Sequence, residues 1–173
     1  EKELALNVVA QLKKVFKVEV KDLISNVDNS QIYLNDEGIS DLGLEKNKVI
    51  NEIIKILKSF DFISNAYSSD YIMNAKALDG YEKLIQNGFH EKRSGDIALI
   101  LEPNVIFYDG KGTTHGSGYN YDTHVPLLFF GSGVKNGETE RITEIPDIAP
   151  TISKVLGQKM KNSTGESLDF IFD

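Results

Sequence analysis

The chain has 173 residues, 40% of them hydrophobic and 26% charged, with a net charge of −7 and no cysteine; this is long enough for one compact domain and ordinary for a globular one. An acidic balance without a run of basic side chains argues against a nucleic-acid or anionic-membrane partner, since either needs a basic face to replace counterions. The missing thiols exclude disulfides, thiolate nucleophiles and Cys-ligated zinc, and no apolar run reaches the roughly 18 residues of a bilayer-spanning helix.

Glu1-Lys2-Glu3 is neither an initiator-methionine start nor a signal peptide, and reads as the start of a piece of something longer. Leu4, Val8, Leu12, Val15 and Phe16 recur at three- and four-residue steps, which predicts an amphipathic helix over 3–16. Two β-prone runs, 23–27 and 31–34, are separated by the turn-forming Asp28-Asn29-Ser30 and predict a hairpin. The strongest helical period runs over 44–60, with Val49, Ile50, Ile53, Ile54, Ile56 and Leu57 on one face. Residues 62–67 suit a further strand beside the hairpin. The segment 69–87 is expected to be helical in part, with Leu78, Tyr81, Leu84 and Ile85 inward and Gly88 closing the last turn.

Asp96 to Leu101 is a continuous apolar run between Ser94-Gly95 and Pro103, the pattern of a strand buried on both faces, which 104–108 would continue or pair with. Val125 to Phe130, stopped by Gly131-Ser132-Gly133, is expected to be a second buried strand. Asp147 to Gly157 reads as a helix with Asp147 as N-cap, Pro150 in the first turn and Gly157 just past the end, its Ile148, Ile152, Val155 and Leu156 facing a core. The fold class is therefore α/β: a sheet flanked by helices, including the strands near 96–101 and 125–130, with a small α+β portion in the first half. Within one domain over 1–173, residues 1–93 supply mainly helix and hairpin elements and 94–173 the sheet core and a site loop.

That loop, Gly112 to His124, is rich in glycine and polar residues and holds two of the three histidines. A neutral imidazole on such a loop is a good zinc ligand, and Gly116 lets the backbone curl closely around an ion; from spacing alone His115 stays open between that role and an ordinary hydrogen-bonding residue. His124 reads first as the residue that fixes how the following segment begins, and second as a ligand. Asp122 is placed to orient an imidazole as a supporting carboxylate. Tyr119 and Tyr121 read as packing residues, and His90, in the turn 88–93, as a solvated surface residue. No Asp-His ligand pair, nucleophile elbow, phosphate loop or His-Glu-x-x-His helix accompanies them, so the chain does not build a complete active site by itself.

The run Gly112-Thr-Thr-His-Gly-Ser117 followed by Tyr119-Asn-Tyr-Asp-Thr-His-Val-Pro-Leu-Leu-Phe-Phe-Gly131 resembles the C-terminal signature of the alkaline phosphatase superfamily, in particular the phosphate-irrepressible bacterial type related to nucleotide pyrophosphatases/phosphodiesterases. The likeness extends to Gln31-Ile-Tyr-Leu-Asn35, Asn87 to Asp96, Asp147-Ile-Ala-Pro-Thr151 and Gly165-Glu-Ser-Leu168, and so covers most of the chain. It implies that His115 is a ligand to one of two zinc ions, with Asp122 and His124 in support. The nucleophilic threonine, the other ligands and the phosphate-binding residues would lie in a missing N-terminal portion. It implies phosphate-ester hydrolysis through a phosphorylated threonine in the parent enzyme, a periplasmic or extracellular location, and an isolated chain that is catalytically silent, binds zinc weakly at most and tends to self-associate. The alternatives are a non-catalytic binding or structural module that keeps the fold, and a phosphodiesterase- or sulfatase-type member; the Thr-His-Gly-Ser run favours phosphate over sulfate.

Overall fold

A computed structural model describes residues 2–17, 23–107, 110 and 115–172 of the chain. They form two compact units that part between His124 and Val125.

In the first unit, helix α1 (Lys2–Phe16) buries Leu4, Val8 and Leu12, one residue per turn along a single face, with Glu3 in its first turn and Lys13 and Lys14 in its last, where each complements the helix dipole. Strands β1 (Ile24–Asp28) and β2 (Gln31–Leu34) form the expected antiparallel hairpin. Asn29 and Ser30 both take positive φ, 49° and 57°, as a two-residue turn matched to the twist of a hairpin requires. A short helix α2 (Asp36–Asp41), capped by the Asn35 side chain accepting from the Gly38 amide, was not evident in the sequence pattern. Helix α3 (Lys46–Leu57) lies where the strongest period predicts it and buries Val49, Ile50, Ile53, Ile56 and Leu57.

Strand β3 (Ile63–Ser68) is present, but it does not lie beside the hairpin: β4 (Ile97–Leu101) sits between them, giving the all-antiparallel order β1-β2-β4-β3. The apolar run of β4 is that of a central strand, with Ile97, Leu99 and Ile100 all buried. Residues 104–107 extend no strand; the chain turns there, with the Val105 amide bonded to the Glu102 carbonyl and Asn104 at φ 66°, and Tyr108 lies outside the described residues. α1, α3 and the sheet enclose a core that includes Leu12, Leu23, Ile32, Ile53, Leu57 and Ile97.

The segment after β3 divides into α4 (Ser69–Asn74) and α5 (Gly80–Gly88), with Ala77 between them in a left-handed conformation (φ 57°) that a right-handed helix does not continue through. Gln86 joins the two by donating to the carbonyls of Ile72 and Ala75, groups that the end of α4 leaves unpaired. No residue of α5 is fully buried, and Leu84, expected inward, is half exposed.

Asp96 locks the sheet to its surroundings. One carboxylate oxygen accepts the Leu34 amide at 2.7 Å, the other meets Lys46 Nζ at 2.7 Å, and the backbone carbonyl accepts from Ser69 at 2.8 Å. Burial works to lower the Lys46 ammonium, but Asp36 and Asp96 outweigh it and hold its pKa above the usual value. This pairing offsets the cost of a cation at the N-terminus of α3.

The second unit contains helix α7 (Ile148–Val155), entered through a 3₁₀ turn at Ile145–Asp147, and a bridge between Val134 and Phe172; the four-residue α6 (Asn120–Thr123) closes the first unit. α7 ends as expected at Gly157, with φ 65° and the paired bonds Gly157 to Lys154 and Gln158 to Ser153 of a Schellman cap. Two expectations fail here. Val125 to Phe130 is not a buried strand: no ladder partner stands beside it among the described residues, and Val125, Leu128 and Phe130 are exposed. Ile152 and Val155 of α7 and its C-cap residue Leu156 are exposed as well, and the buried residues of the second unit are Thr151 in α7 and Leu168 beyond it. An apolar stripe needs a facing layer, and among the described residues no strand within the second unit supplies one.

Candidate functional site

The site loop closes the first unit. Gly112 to Thr114 lie outside the described residues, and His115 is exposed. Asp122, in the single turn of α6, accepts both the amide (2.9 Å) and the hydroxyl of Ser117 on one carboxylate oxygen. The Ser117 hydroxyl, then its amide, hold the Asp122 carboxyl below the ordinary aspartate range, with a smaller electrostatic contribution from His115. The carboxylate thus fixes the curl of Gly116 and Ser117 immediately after His115, and Gly116 at φ 121° occupies a conformation that side-chain-bearing residues rarely adopt. His124 caps α6 through its backbone, its amide donating to the Asn120 carbonyl at 3.0 Å.

Two tyrosines fasten this loop to the sheet. Tyr119 donates its hydroxyl to the Leu101 carbonyl at 2.7 Å, and Tyr121 accepts the Asn104 amide at 3.0 Å. Their rings stack at 5.7 Å, and Tyr81 of α5 meets Tyr119 edge-on at 5.2 Å. The expectation of packing residues holds, and the sequence left unseen how much Ser117 and Gly118 contribute. A Cβ on Gly118 would lie 2.8 Å and 2.9 Å from ring atoms of Tyr81 and 3.0 Å from Leu84. Gly118→Ala is therefore expected to destabilise the first unit by about 1–2 kcal/mol, read as a lower midpoint of thermal unfolding; an unchanged midpoint would show that the loop gives way freely.

His115, Ser117, Asp122, Tyr119 and Tyr121 line one cavity of about 440 Å³ that extends along the sheet to Ser30 and Gly95. Among the described residues, no three or more His, Cys, Asp or Glu side chains come together to hold a metal ion. A catalytic zinc takes three protein ligands and keeps a position open. The donors here fit one such ligand, His115, and not a complete set, since the Asp122 oxygen on which the loop depends is engaged by Ser117. His90 is an exposed turn residue, as expected; its Nδ1 accepts the Lys92 amide.

In the second unit the two sequence runs Asp147 to Thr151 and Gly165 to Leu168 prove to be bonded to each other. Asp147 accepts the amides of Glu144 and Glu166, each at 2.9 Å, and these two bonds lower its pKa. The buried Thr151 hydroxyl donates to the Asp147 carbonyl at 2.6 Å and accepts the Leu168 amide at 2.9 Å.

No protein-family model matches the chain. It is 41% identical over 152 residues to the calcium-transporting ATPase of Myroides odoratus, spanning 87% of this chain and 28% of that one. To alkaline phosphatase PafA of Elizabethkingia meningoseptica it is 34% identical over 148 residues, 85% of this chain and 27% of that one. The crystal structure of wild-type PafA superposes with a TM-score of 0.90 at 30% identity, over 99% of this chain and 33% of that chain. The chain thus spans about a third or less of the proteins it resembles, and corresponds to the C-terminal part of the PafA-like fold. By sequence and by fold together, this chain belongs to the alkaline phosphatase superfamily.

Proposed function

We propose that the chain is the C-terminal segment of a zinc-dependent phosphate-ester hydrolase, an alkaline-phosphatase-type phosphomonoesterase, to which it contributes one zinc ligand, His115, and core segments. The observation that carries this reading is the placement of His115 on a cavity beside a loop braced by Asp122, in a chain aligned over most of its length with an alkaline phosphatase. Zinc bound at such a site would supply a Lewis acid at the phosphoryl group and a means of ionising water near neutral pH. The residues of this chain orient and hold: Asp122 fixes the loop at Ser117, Tyr119 and Tyr121 anchor it to the sheet, and His124 terminates the turn from which Asp122 projects. Val125 to Phe130 and the exposed face of α7 then pack against the N-terminal portion of the same enzyme, which completes the site.

The name of the Myroides relative points to a second substrate class, the terminal phosphoanhydride of ATP. Its hydrolysis is also phosphoryl transfer to water, so the two readings share this site and separate by substrate. A diester- or sulfate-ester preference, and a non-catalytic module that keeps the fold, are the remaining alternatives; the location in all the enzymatic readings is periplasmic or extracellular.

The test has two arms. The isolated chain with added zinc should give no phosphatase turnover; turnover near that of intact superfamily members would overturn the fragment reading. In the full-length enzyme, His115→Ala should lower kcat/KM for a phosphate monoester by at least about 100-fold, with loss of bound zinc by elemental analysis, since even outer-shell changes cost 10–100-fold. Retained zinc and activity would remove His115 from the site.

A further inference from the structure

Resting on the phosphatase reading, we infer that the cavity beside His115 is a subsite for a planar aromatic leaving group, with Tyr121 as its stacking platform. Both tyrosines of the loop are tied to backbone groups through their hydroxyls, Tyr119 donating to the Leu101 carbonyl and Tyr121 accepting the Asn104 amide, which fixes where the two rings stand. What these residues offer is ring surface held in place. Tyr81 supports Tyr119 edge-on, Tyr119 supports Tyr121 in a stack 24° from parallel, and Tyr121 ends the series with 55% of its surface exposed. A series of rings built up to an exposed last face costs little entropy when another ring is added to it.

The cavity supports the same conclusion. At about 440 Å³ it is within the range of small-molecule sites. Leu84, Ile85 and Phe107 contribute apolar side chains to its lining, and His115, Ser117 and Asp122 contribute polar ones. An ester with a phosphoryl group at His115 and a flat apolar group beyond it would fill both parts, whereas a small alkyl ester would leave the ring face wet. The recognised chemistry is the aromatic ring itself, whether from an aryl phosphate or a nucleobase.

The experiment compares kcat/KM for phenyl phosphate and methyl phosphate in the full-length enzyme and its Tyr121→Leu and Tyr121→Phe variants. Taking the ratio of the two esters in each protein, and comparing that ratio between proteins, cancels the difference in leaving-group reactivity. Tyr121→Leu should reduce the phenyl-over-methyl ratio about 3- to 10-fold, the range that one aromatic contact supports, and Tyr121→Phe should keep most of it. An unchanged ratio in Tyr121→Leu, or an equal loss in Tyr121→Phe, overturns the subsite. Replacing phenyl phosphate by AMP, with methyl phosphate kept as the reference, separates the sources: a matching loss for AMP extends the subsite to nucleobases, and no loss confines it to simple aryl groups, while either supports an aromatic leaving group. If the wild-type enzyme hydrolyses no ester, the phosphatase reading fails by itself. The subsite is then decided by whether phenyl phosphate shifts the Tyr121 ring resonances, and an absence of any shift overturns it.

Discussion

Asp96→Ala is expected to cost about 3 kcal/mol and to lower the thermal midpoint of the first unit by roughly 6–12 °C. The carboxylate is four-fifths covered and serves the Leu34 amide and Lys46 at once. Its removal leaves the Leu34 amide, at a buried residue, without its charged acceptor, and leaves Lys46 with Asp36 alone. Asp36, on the far side of the same ammonium, is mostly exposed, and exposed pairs contribute little. Asp36→Ala should therefore cost less than about 0.5 kcal/mol, and Asp96→Asn, which keeps an acceptor for Leu34, should fall between. Circular dichroism melts of the three variants give the order, and hydrogen exchange at the Leu34 amide gives the site. Equal effects at Asp36 and Asp96 would show that the ion pair, and not the amide bond, is what matters.

Gly165→Ala should have the largest effect in the second unit, about 3 kcal/mol or more. A Cβ there would stand 2.2 Å and 2.3 Å from the carbonyl carbon and oxygen of Pro146 and 2.6 Å from the Asp147 nitrogen. Those are backbone atoms at the entry to α7, so no rotamer relieves the collision. The segment would lift away, taking the Glu166 amide from Asp147 and the Leu168 amide from Thr151. Faster hydrogen exchange at both amides, together, is the expected signature, and protection unchanged at either would mean that the backbone accommodates the methyl group. Asp147 adds a pH dependence. Its carboxyl is lowered on folding by the two amides it accepts, so its contribution is present above the unfolded value of about 3.9 and is lost as pH falls through the still lower folded value. Asp147→Asn should remove that acid-side loss of Glu166 protection without altering behaviour near neutral pH.

The local patterns of the first unit were readable because each describes an element that completes itself inside the chain. The α3 stripe, the Asn29-Ser30 turn and the apolar run of β4 all meet their partners within residues 2–101. Strand order was not readable: nothing in residues 62–67 distinguishes pairing with β2 from pairing with β4. Val125 to Phe130 and the α7 stripe show the opposite failure. Their patterns were read correctly as apolar faces, but burial is a property of a face and its partner, and these faces are exposed. At the loop, the His115 and Asp122 types drew attention, while Ser117, which engages Asp122 directly, did not, because a serine between glycines looks like any turn. Thr151 was hidden for a related reason: in sequence it is one polar residue in a helix, and only its bond to Leu168 seventeen positions on explains its burial.

The sheet order has a consequence for how the chain comes to be folded. Among the described residues, β4 follows the other three strands of the sheet in sequence and is the one that pairs with both the hairpin and β3. Without residues 97–101 the hairpin and β3 have no strand between them, and a lone hairpin is marginal in water. Closure then spans more than sixty residues between Ile32 and its partner Ile97, which makes it a slow step for a chain of this size. Deleting residues 97–101 should therefore leave the hairpin and β3 unjoined, although each lies intact in the sequence.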